Sequence, residues 1–510
     1  MSMTSADLVR TLADRLRDTK LVVVANRQPY MHVKHTMQRT GVMRWLMRQG
    51  DKVSITCTRP ASGLVTALDP VMQACGGTWV AHGNGSGDRE VSDSAGRVAV
   101  PPERPKYSLR RVWLKPVEED GYYYGLSNNA LWPLCHIAYA RPMFNEGDWQ
   151  HYAAVNRRFA DIVLEEIAGS RAIVFVQDYH YALLPRYVKN ARPDAVVCQF
   201  WHIPWPNPEA FRILPWQSEV LDGLLGNDLL GFHLQYHCNN FLETVDRTIE
   251  ARIDHETFSV YRGGHRTAIR PYPISIDPSI WNDVPPGTAT WAREVAATRR
   301  RLGAGDRRIV MGVDRLDYTK GIPDRLLAFD RFLGRYPEWR NKVVFVQVGS
   351  PTRDQLDRYR ELSREVDELV TRINDRHGDS QWTPIIYRRE HHAPKEVAAL
   401  YRASDVCVVS SLHDGMNLVA KEFVAARTDN AGILVLSRFA GAAKELADAL
   451  LVNPFAPDEF AETIHSALKM SIAEAGRRMR ALRAHVCGHT VFDWAARVLS
   501  DACDVADARA

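Results

Sequence analysis

Short, continuous apolar runs recur along the chain. Each is followed by a polar or glycine-bearing turn and then by apolar positions at helical spacing. Runs at 21–25, 173–177, 196–201 and 229–232 fall in the first part, and runs at 309–313, 343–348, 406–411, 433–437 and 450–452 in the second. Runs of this length, apolar throughout and rich in β-branched residues, predict strands buried on both faces and hence parallel sheets covered by helices. Two such series predict an α/β protein with two doubly wound domains. Pro271, Pro273, Pro278, Pro285 and Pro286 cluster with Gly287 and mark the break. The expected domains are 1–285 and 286–489; the last helical stretch, 490–508, lies beyond the final strand and can pack back on the first domain.

Ligands of open parallel sheets bind beyond the carboxyl ends of the strands. The polar residues at those ends are Asn26, Arg27, Asp178, His202, Arg315 with Lys320, residues 349–353, and Asp414. Two domains facing each other would form a cleft between two such rims, a geometry suited to a reaction between two polar substrates.

Composition narrows the class. The chain has 510 residues, with 65 basic against 61 acidic side chains and a formal net charge of +4, too balanced to argue for nucleic acid or a membrane surface as partner. The eight cysteines are scattered singly without a CxxC pair, which fits buried thiols of a reducing compartment. The first twenty residues carry charges throughout, unlike a signal peptide, and no apolar run is long enough to span a bilayer. The expectation is a cytoplasmic protein. A homo-oligomer is compatible with the sequence.

The densest chemistry lies at 413–423, HDGMNLVAKEF. It follows the run 406–411 and enters a helical pattern at 418–427. Asp414, Gly415 and Met416 therefore fall on a strand-to-helix turn, where free N–H groups and the helix dipole favour anions. Glu422 lies one helical turn beyond Leu418, so two acids can grip two parts of one polar ligand. The second constellation, 314–323 (DRLDYTKGIP), follows the strand ending at Val313. There Arg315 and Lys320 can aim two cations at one point, as a departing diphosphate needs. Read singly, Asp178 is equally a helix cap, His202 equally a satisfied core histidine, and Tyr123 and Trp132 more often packing than a sugar site.

Taken together, these stretches resemble the trehalose-6-phosphate synthase family of retaining glycosyltransferases. The likeness runs in order through VVVANR (22–27), SNNALWP (127–133), VQDYH (176–180), HIPWP (202–206), 314–323, WTP (382–384), 414–422, FAGAA (439–443) and LVNP (451–454). It implies the two-domain GT-B fold and transfer of glucose from a nucleotide-glucose, UDP-glucose foremost, to glucose 6-phosphate. The donor would lie on the C-terminal domain. Arg315, Lys320 and the N–H groups of Leu418 and Val419 would hold its diphosphate, with Ser62 and Gly63 approaching from the other side. Glu422 would hold the ribose, and Asp414 with the N–H groups of Gly415, Met416 and Asn417 the glucose hydroxyls. Arg27, Tyr123, Trp132 and Arg353 would hold the acceptor phosphate. Asp178 would accept from acceptor hydroxyls, and His202 would line the junction of the two sugars. Asp178, His202, Arg315 and Lys320 are the expected catalytic set. No cofactor is implied, and with no DxD motif in the chain no bridging metal is expected.

The chain also departs from the family pattern. Ser62 stands in the first position of a Gly-Gly pair, His82 where a second tryptophan is usual, and His413 where arginine is common. His82 leaves a glucosylglycerol-phosphate synthase, with glycerol 3-phosphate as acceptor, as the rival reading. A silent phosphosugar sensor is the other, against which the intact Arg315 and Lys320 argue. The segment 28–59 is long and basic, carrying Lys34, Arg39, Arg44, Arg48, Lys52 and Arg59 against Asp51; it reads as a lid over phosphates, or equally as a solvated insertion or an oligomer contact. Residues 83–87 (GNGSG) look like a phosphate loop but lack a clean helix after them and read as a flexible loop. His233 and His237 have a metal-like spacing without a third ligand.

Overall fold

The computed structural model describes residues 5–37, 52–60 and 63–509. The first sheet is built from the strands up to residue 271. These are β1 (Lys20–Ala25), β4 (Thr78–His82), β5 (Arg97–Val100), β6 (Tyr107–Val112), β7 (Ala172–Gln177), β8 (Val196–Phe200), β9 (Leu229–Phe232), β10 (Arg252–Asp254), β11 (Ser259–Arg262) and β12 (His265–Pro271). A separate antiparallel hairpin, β2 (Met31–Met37) with β3 (Lys52–Thr58), leaves the sheet after β1. The first sheet runs β10-β11-β12-β9-β8-β7-β1-β4-β6-β5, parallel from β12 to β6 and closed by antiparallel β5 on one edge and by β11 and β10 on the other.

The second sheet is parallel throughout. It holds β13 (Arg308–Arg315), β14 (Val343–Ser350), β15 (Ile385–Arg388), β16 (Val406–Val409), β17 (Ile433–Ser437) and β18 (Leu450–Val452), in the order β15-β14-β13-β16-β17-β18. The expected doubly wound α/β architecture is therefore present. Chain order reverses between β1 and β7 in the first sheet and between β13 and β16 in the second. Such reversals leave a crevice at the strand ends because the flanking helices depart to opposite faces. Asn26 and Arg27 leave β1, Asp178 leaves β7, Arg315 ends β13 and Asp414 follows β16, so both candidate constellations sit at these crevices.

Every residue of β7 is buried, from Ala172 to Gln177, as its unbroken apolar pattern requires. β16 is shorter than the apolar run suggested: it stops at Val409, and Ser410 turns away to accept from Arg325 Nε at 2.7 Å. The helix after the 413–417 turn is Leu418–Ala426.

The terminal helix Val491–Asp507 lies against β7, β8 and β9, with Trp494 edge-on to Phe200 at 5.1 Å between centroids. One apolar core continues beneath both sheets. It takes in Val23 and Phe175 of the first, Ile309 and Leu434 of the second, Tyr272, Ile274 and Ile276 of the connecting segment, and Trp494. The connection is also pinned: buried Lys421 donates to Ile274 O at 2.8 Å and pairs with Glu445 at 2.7 Å, and Val491 N donates to Ile276 O at 2.9 Å. Among the described residues no helix is long and apolar enough to cross a membrane.

The 83–87 loop differs from the expectation of a flexible connection. Its Gly87 N–H donates to His32 O at 2.9 Å and its Gly85 N–H to Asp88 Oδ2 at 2.7 Å. A Cβ on Gly85 would stand 2.5 Å from His32 O, so the glycine is there to let the root of the hairpin lie on this loop. Asp88 and Arg111, both buried, form an ion pair of 3.1 Å at the centre of that junction. Residues 38–51 of the basic segment, on which the reading as a lid rests, lie outside the described residues.

Candidate active site

The donor-side rim is built on β13 and β16. After Arg315 the chain makes a short turn, Tyr318–Lys320, capped by buried Asp317, whose Oδ1 accepts from Thr319 N and Thr319 Oγ1 at 3.0 and 2.9 Å. Gly321 continues in the left-handed region at φ +59°, and a side chain there would strike Ser410 O at 2.4 Å. This turn aims Lys320 at Asp414: Nζ to Oδ2 is 2.5 Å. Asp414 also accepts from Ser411 Oγ at 3.1 Å and from Asn417 Nδ2 at 3.3 Å. Burial alone would push its carboxyl up, but the Lys320 charge and these hydrogen bonds outweigh it and hold Asp414 well below the ordinary carboxylate range.

Asn417 caps the helix that follows: Oδ1 accepts from Ala420 N at 3.3 Å, with the backbone at φ +74°. The first-turn N–H groups of that helix, Leu418 and Val419 among them, have no intrahelical acceptor. Gly415 and Met416 are held from behind, because Ala442 N donates to Met416 O at 2.8 Å and Gly441 N to Asp414 O at 3.1 Å. Glu422 is half-buried one turn later. Burial pushes its carboxyl up to about 7, the Tyr401 hydroxyl (3.4 Å) pulls it back, and Asp314 adds to the rise. Gly63 opens the helix Gly63–Cys75 opposite, where an added Cβ would stand 3.1 Å from Leu418 Cδ1; two helix N-termini thus meet here. Ser62 lies outside the described residues.

The facing rim supplies Arg27, Tyr123, Trp132, Asp178 and His202, which line one pocket of about 190 Å³ together with Arg315 and Arg353 from the side of the second sheet. Tyr123 comes from an unusual twelve-residue π-helix, Asp120–Leu131, and Trp132 opens the helix Trp132–His136 directly after it. Arg353 lies over the Trp132 ring at 4.2 Å and Arg315 over the same ring at 5.7 Å. Asp317 Oδ2 holds Arg353 Nη1 at 3.2 Å, and Tyr359 OH lies 2.6 Å from the same nitrogen. Among the described residues neither Arg27 nor Arg315 pairs with a carboxylate. Burial lowers the Arg27 pKa, and the charges of Arg315 and Arg353 lower it further. A site that gathers three guanidinium groups and leaves two of them unpaired is built for an anion.

Asp178 carries the strain of the site. It is a non-glycine residue at φ +74°, a conformation kept only when its surroundings enforce it. Its Oδ1 accepts from the Tyr179 and His202 N–H groups at 3.0 and 3.3 Å. Burial pushes the carboxyl up to about 7, partly opposed by those N–H groups and by Arg353 and Arg315. His202 Nε2 meets Gln177 Oε1 at 3.0 Å, and burial lowers the imidazole pKa to about 3, so the ring is neutral and donates.

The other singled-out residues stand elsewhere. His82 is buried at the end of β4, 3.9 Å from Glu119, and is not part of the pocket lining. His413 Nδ1 faces His136 O at 2.8 Å, a tie between the two rims. His233 Nε2 bonds His202 O at 2.9 Å, and His237 lies edge-on to His413. The described residues hold no group of three or more His, Cys, Asp or Glu placed to bind a metal. Gln177, Tyr179 and His180 also line the pocket without having been assigned a role from sequence; their signal was their place in the VQDYH stretch beside Asp178.

The model of glycosyltransferase family 20 matches residues 19–504. A trehalose-6-phosphate synthase of Mycobacterium avium is 38% identical over 486 residues, covering 94% of each chain. Among solved structures, the E. coli trehalose-6-phosphate protein bound with UDP-2-fluoro glucose superposes with a TM-score of 0.81 at 30% identity, over 95% of this chain and 99% of that one. A UDP-forming α,α-trehalose-phosphate synthase of Burkholderia xenovorans in complex with glucose-6-phosphate gives 0.78 at 29%, over 95% and 100%. With two Rossmann-like sheets in the GT-B arrangement, this chain belongs to glycosyltransferase family 20 and is a glycosyltransferase.

Proposed function

We propose that the protein transfers glucose from UDP-glucose to glucose 6-phosphate with retention at the anomeric carbon, giving α,α-trehalose 6-phosphate and UDP. The observation that carries this reading is the pocket in which Arg27, Tyr123, Trp132 and Asp178 of one rim meet Arg315 and Arg353 of the other. A phosphate held by the guanidinium cluster would place the sugar attached to it against Asp178, facing the 413–422 turn. The likeness to relatives solved with a UDP-sugar and with glucose-6-phosphate supports the same pair of ligands. We take residues 1–285, with 490–508, as the acceptor half and 286–489 as the donor half.

In this reading the diphosphate lies between the N-termini of the helices Gly63–Cys75 and Leu418–Ala426. Arg315, Lys320 and the N–H groups of Leu418 and Val419 bind it, with Gly63 opposite. Lys320 has three protons and spends one on Asp414, so two remain for phosphate oxygens. Glu422 accepts from the ribose. Asp414, with the N–H groups of Gly415, Met416 and Asn417, holds the glucose hydroxyls.

The bond from the anomeric carbon to the diphosphate breaks, and the acceptor O1 adds on the same face through an oxocarbenium-like state. The acceptor proton passes to the departing diphosphate oxygen. Arg315 and Lys320 stabilise the charge that develops there, the part a metal would otherwise play. Asp178 orients the acceptor through its hydroxyls, and His202 lines the junction of the sugars. His82, the departure that left room for glycerol 3-phosphate, is not among the residues that line this pocket.

The test crosses UDP-glucose and GDP-glucose with glucose 6-phosphate and glycerol 3-phosphate, with and without EDTA. Turnover is expected with UDP-glucose and glucose 6-phosphate, unchanged by the chelator. Arg315→Ala should lower kcat by about 10²–10³ while glucose 6-phosphate still binds, by the measure of other lost transition-state donors. Retained turnover in that variant would overturn the mechanism.

A further inference from the structure

His180 follows Asp178 by two residues, in the short turn Tyr179–Tyr181, and lines the same pocket. Its side chain is only 10% exposed. It stacks on Tyr123 with centroids 5.7 Å apart and planes 9° apart, and on Tyr179 at 4.2 Å. The turn that carries it is fixed from below: Asn156 Nδ2 donates to His180 O at 3.0 Å, and Asn156 Oδ1 accepts from Leu183 N at 3.1 Å. The ring is thus held in one orientation.

Neither Nδ1 nor Nε2 of this buried ring has a hydrogen-bond partner. Burial, with Arg353 and Arg27 close by, lowers its pKa to about 3, so it is a neutral imidazole with one N–H and one lone pair. Leaving both nitrogens buried and unpaired is costly unless something else completes them. The ring plane is already committed to Tyr123 and Tyr179, so packing accounts for its faces but not for its nitrogens.

The geometry around Asp178 indicates what completes one of them. Asp178 Oδ1 is taken by the Tyr179 and His202 N–H groups. Its Oδ2 stands 3.9 Å from His180 Nδ1, too far for a direct hydrogen bond. An oxygen placed about 2.8 Å from each, at ordinary hydrogen-bond length, fits between them with roughly a right angle at that oxygen.

We propose that His180 is a specificity-determining residue for the acceptor: His180 and Asp178 together hold one non-reacting hydroxyl of the acceptor sugar. The imidazole N–H donates to the hydroxyl oxygen, and the hydroxyl proton goes to Asp178 Oδ2. This deepens the acceptor reading given above and rests on it. It also supplies a chemical reason for preferring a polyhydroxylated ring phosphate, since an acceptor lacking the bridged hydroxyl leaves Nδ1 buried and unpaired.

The test uses the full chain, UDP-glucose as donor, and glucose 6-phosphate with its 2-, 3- and 4-deoxy analogues as acceptors. His180→Phe keeps the stacked ring and removes both nitrogens. It should raise KM for glucose 6-phosphate about tenfold, leave donor KM within about twofold, and lose its penalty with only one of the three analogues. His180→Gln, which restores a donor and an acceptor, should fall between wild type and the Phe variant; it is read against the same analogues if the Phe variant does not fold. An unchanged acceptor KM, an equal penalty with all three analogues, or a Gln variant as impaired as the Phe variant would overturn the proposal. Failure of the wild type to use glucose 6-phosphate would instead overturn the acceptor reading, and is seen before any variant is made.

Discussion

At the residue scale the site is governed by which carboxylates are paired. Asp414 is held ionised by Lys320, whereas Asp178 and Glu422 stand at about 7 because burial outweighs the hydrogen bonds they receive. Both must be ionised to accept from hydroxyls, and both are mostly protonated below their pKa. Consequently kcat/KM for each substrate should fall about tenfold per pH unit below 7. The Tyr401 hydroxyl lowers the Glu422 pKa, so Tyr401→Phe should move the acid limb of kcat/KM for the donor to higher pH and leave the acceptor limb in place. Steady-state pH profiles for the two substrates check this. The two acids around the 413–423 turn were legible in the sequence because their types and spacing are unusual for a bare turn. The pairing of Asp414 with Lys320, ninety-four residues earlier, was not, since only the fold brings the ends of β13 and β16 together. His180 was still less legible: its interest lies in partners it lacks, and no local pattern records that.

At the element scale, strands apolar at every position were readable; β7 and β13 begin and end within two residues of the runs that predicted them. β4 and β15 were missed because they are short and end in polar residues, Thr78 and His82 in one case and Arg388 in the other. β5 and β10 to β12 were missed because flanking strands are exposed on one side and carry mixed patterns. Helix ends follow capping chemistry, and Asn417 is the informative case. It supplies a cap and also tolerates φ +74°, two properties that substitution can separate. Asn417→Gly removes the cap but keeps the backbone at ease and should cost a few tenths of a kcal/mol. Asn417→Ala should cost about 2 kcal/mol, since cap loss adds to left-handed strain. Urea denaturation of the two variants decides whether the backbone constraint is real.

At the scale of the whole molecule, one apolar core runs from the first sheet through the connecting segment into the second, so the two Rossmann-like units are packed on each other and not merely tethered. Their rims touch through His413 and His136 O, through Arg358 and Arg141 O at 3.2 Å, and through the close approach of Gly415 to the opposite side. A Cβ on Gly415 would lie 2.7 Å from His233 Cδ2 and 2.9 Å from His202 O. Gly415→Ala should therefore push the rims apart and lower kcat/KM at least about tenfold with secondary structure intact, as small misplacements of reacting groups do. Small-angle scattering should record a larger radius of gyration for the variant.

The central claim is that these two rims join two glucose units through their anomeric carbons with retention. Its most direct test is NMR identification of the product from UDP-glucose and glucose 6-phosphate carrying ¹³C at C1. The account predicts a labelled anomeric carbon in an α,α-linked disaccharide phosphate, with UDP released in equal amount. A product with inverted configuration at the donor carbon, or UDP release without a disaccharide, would contradict it.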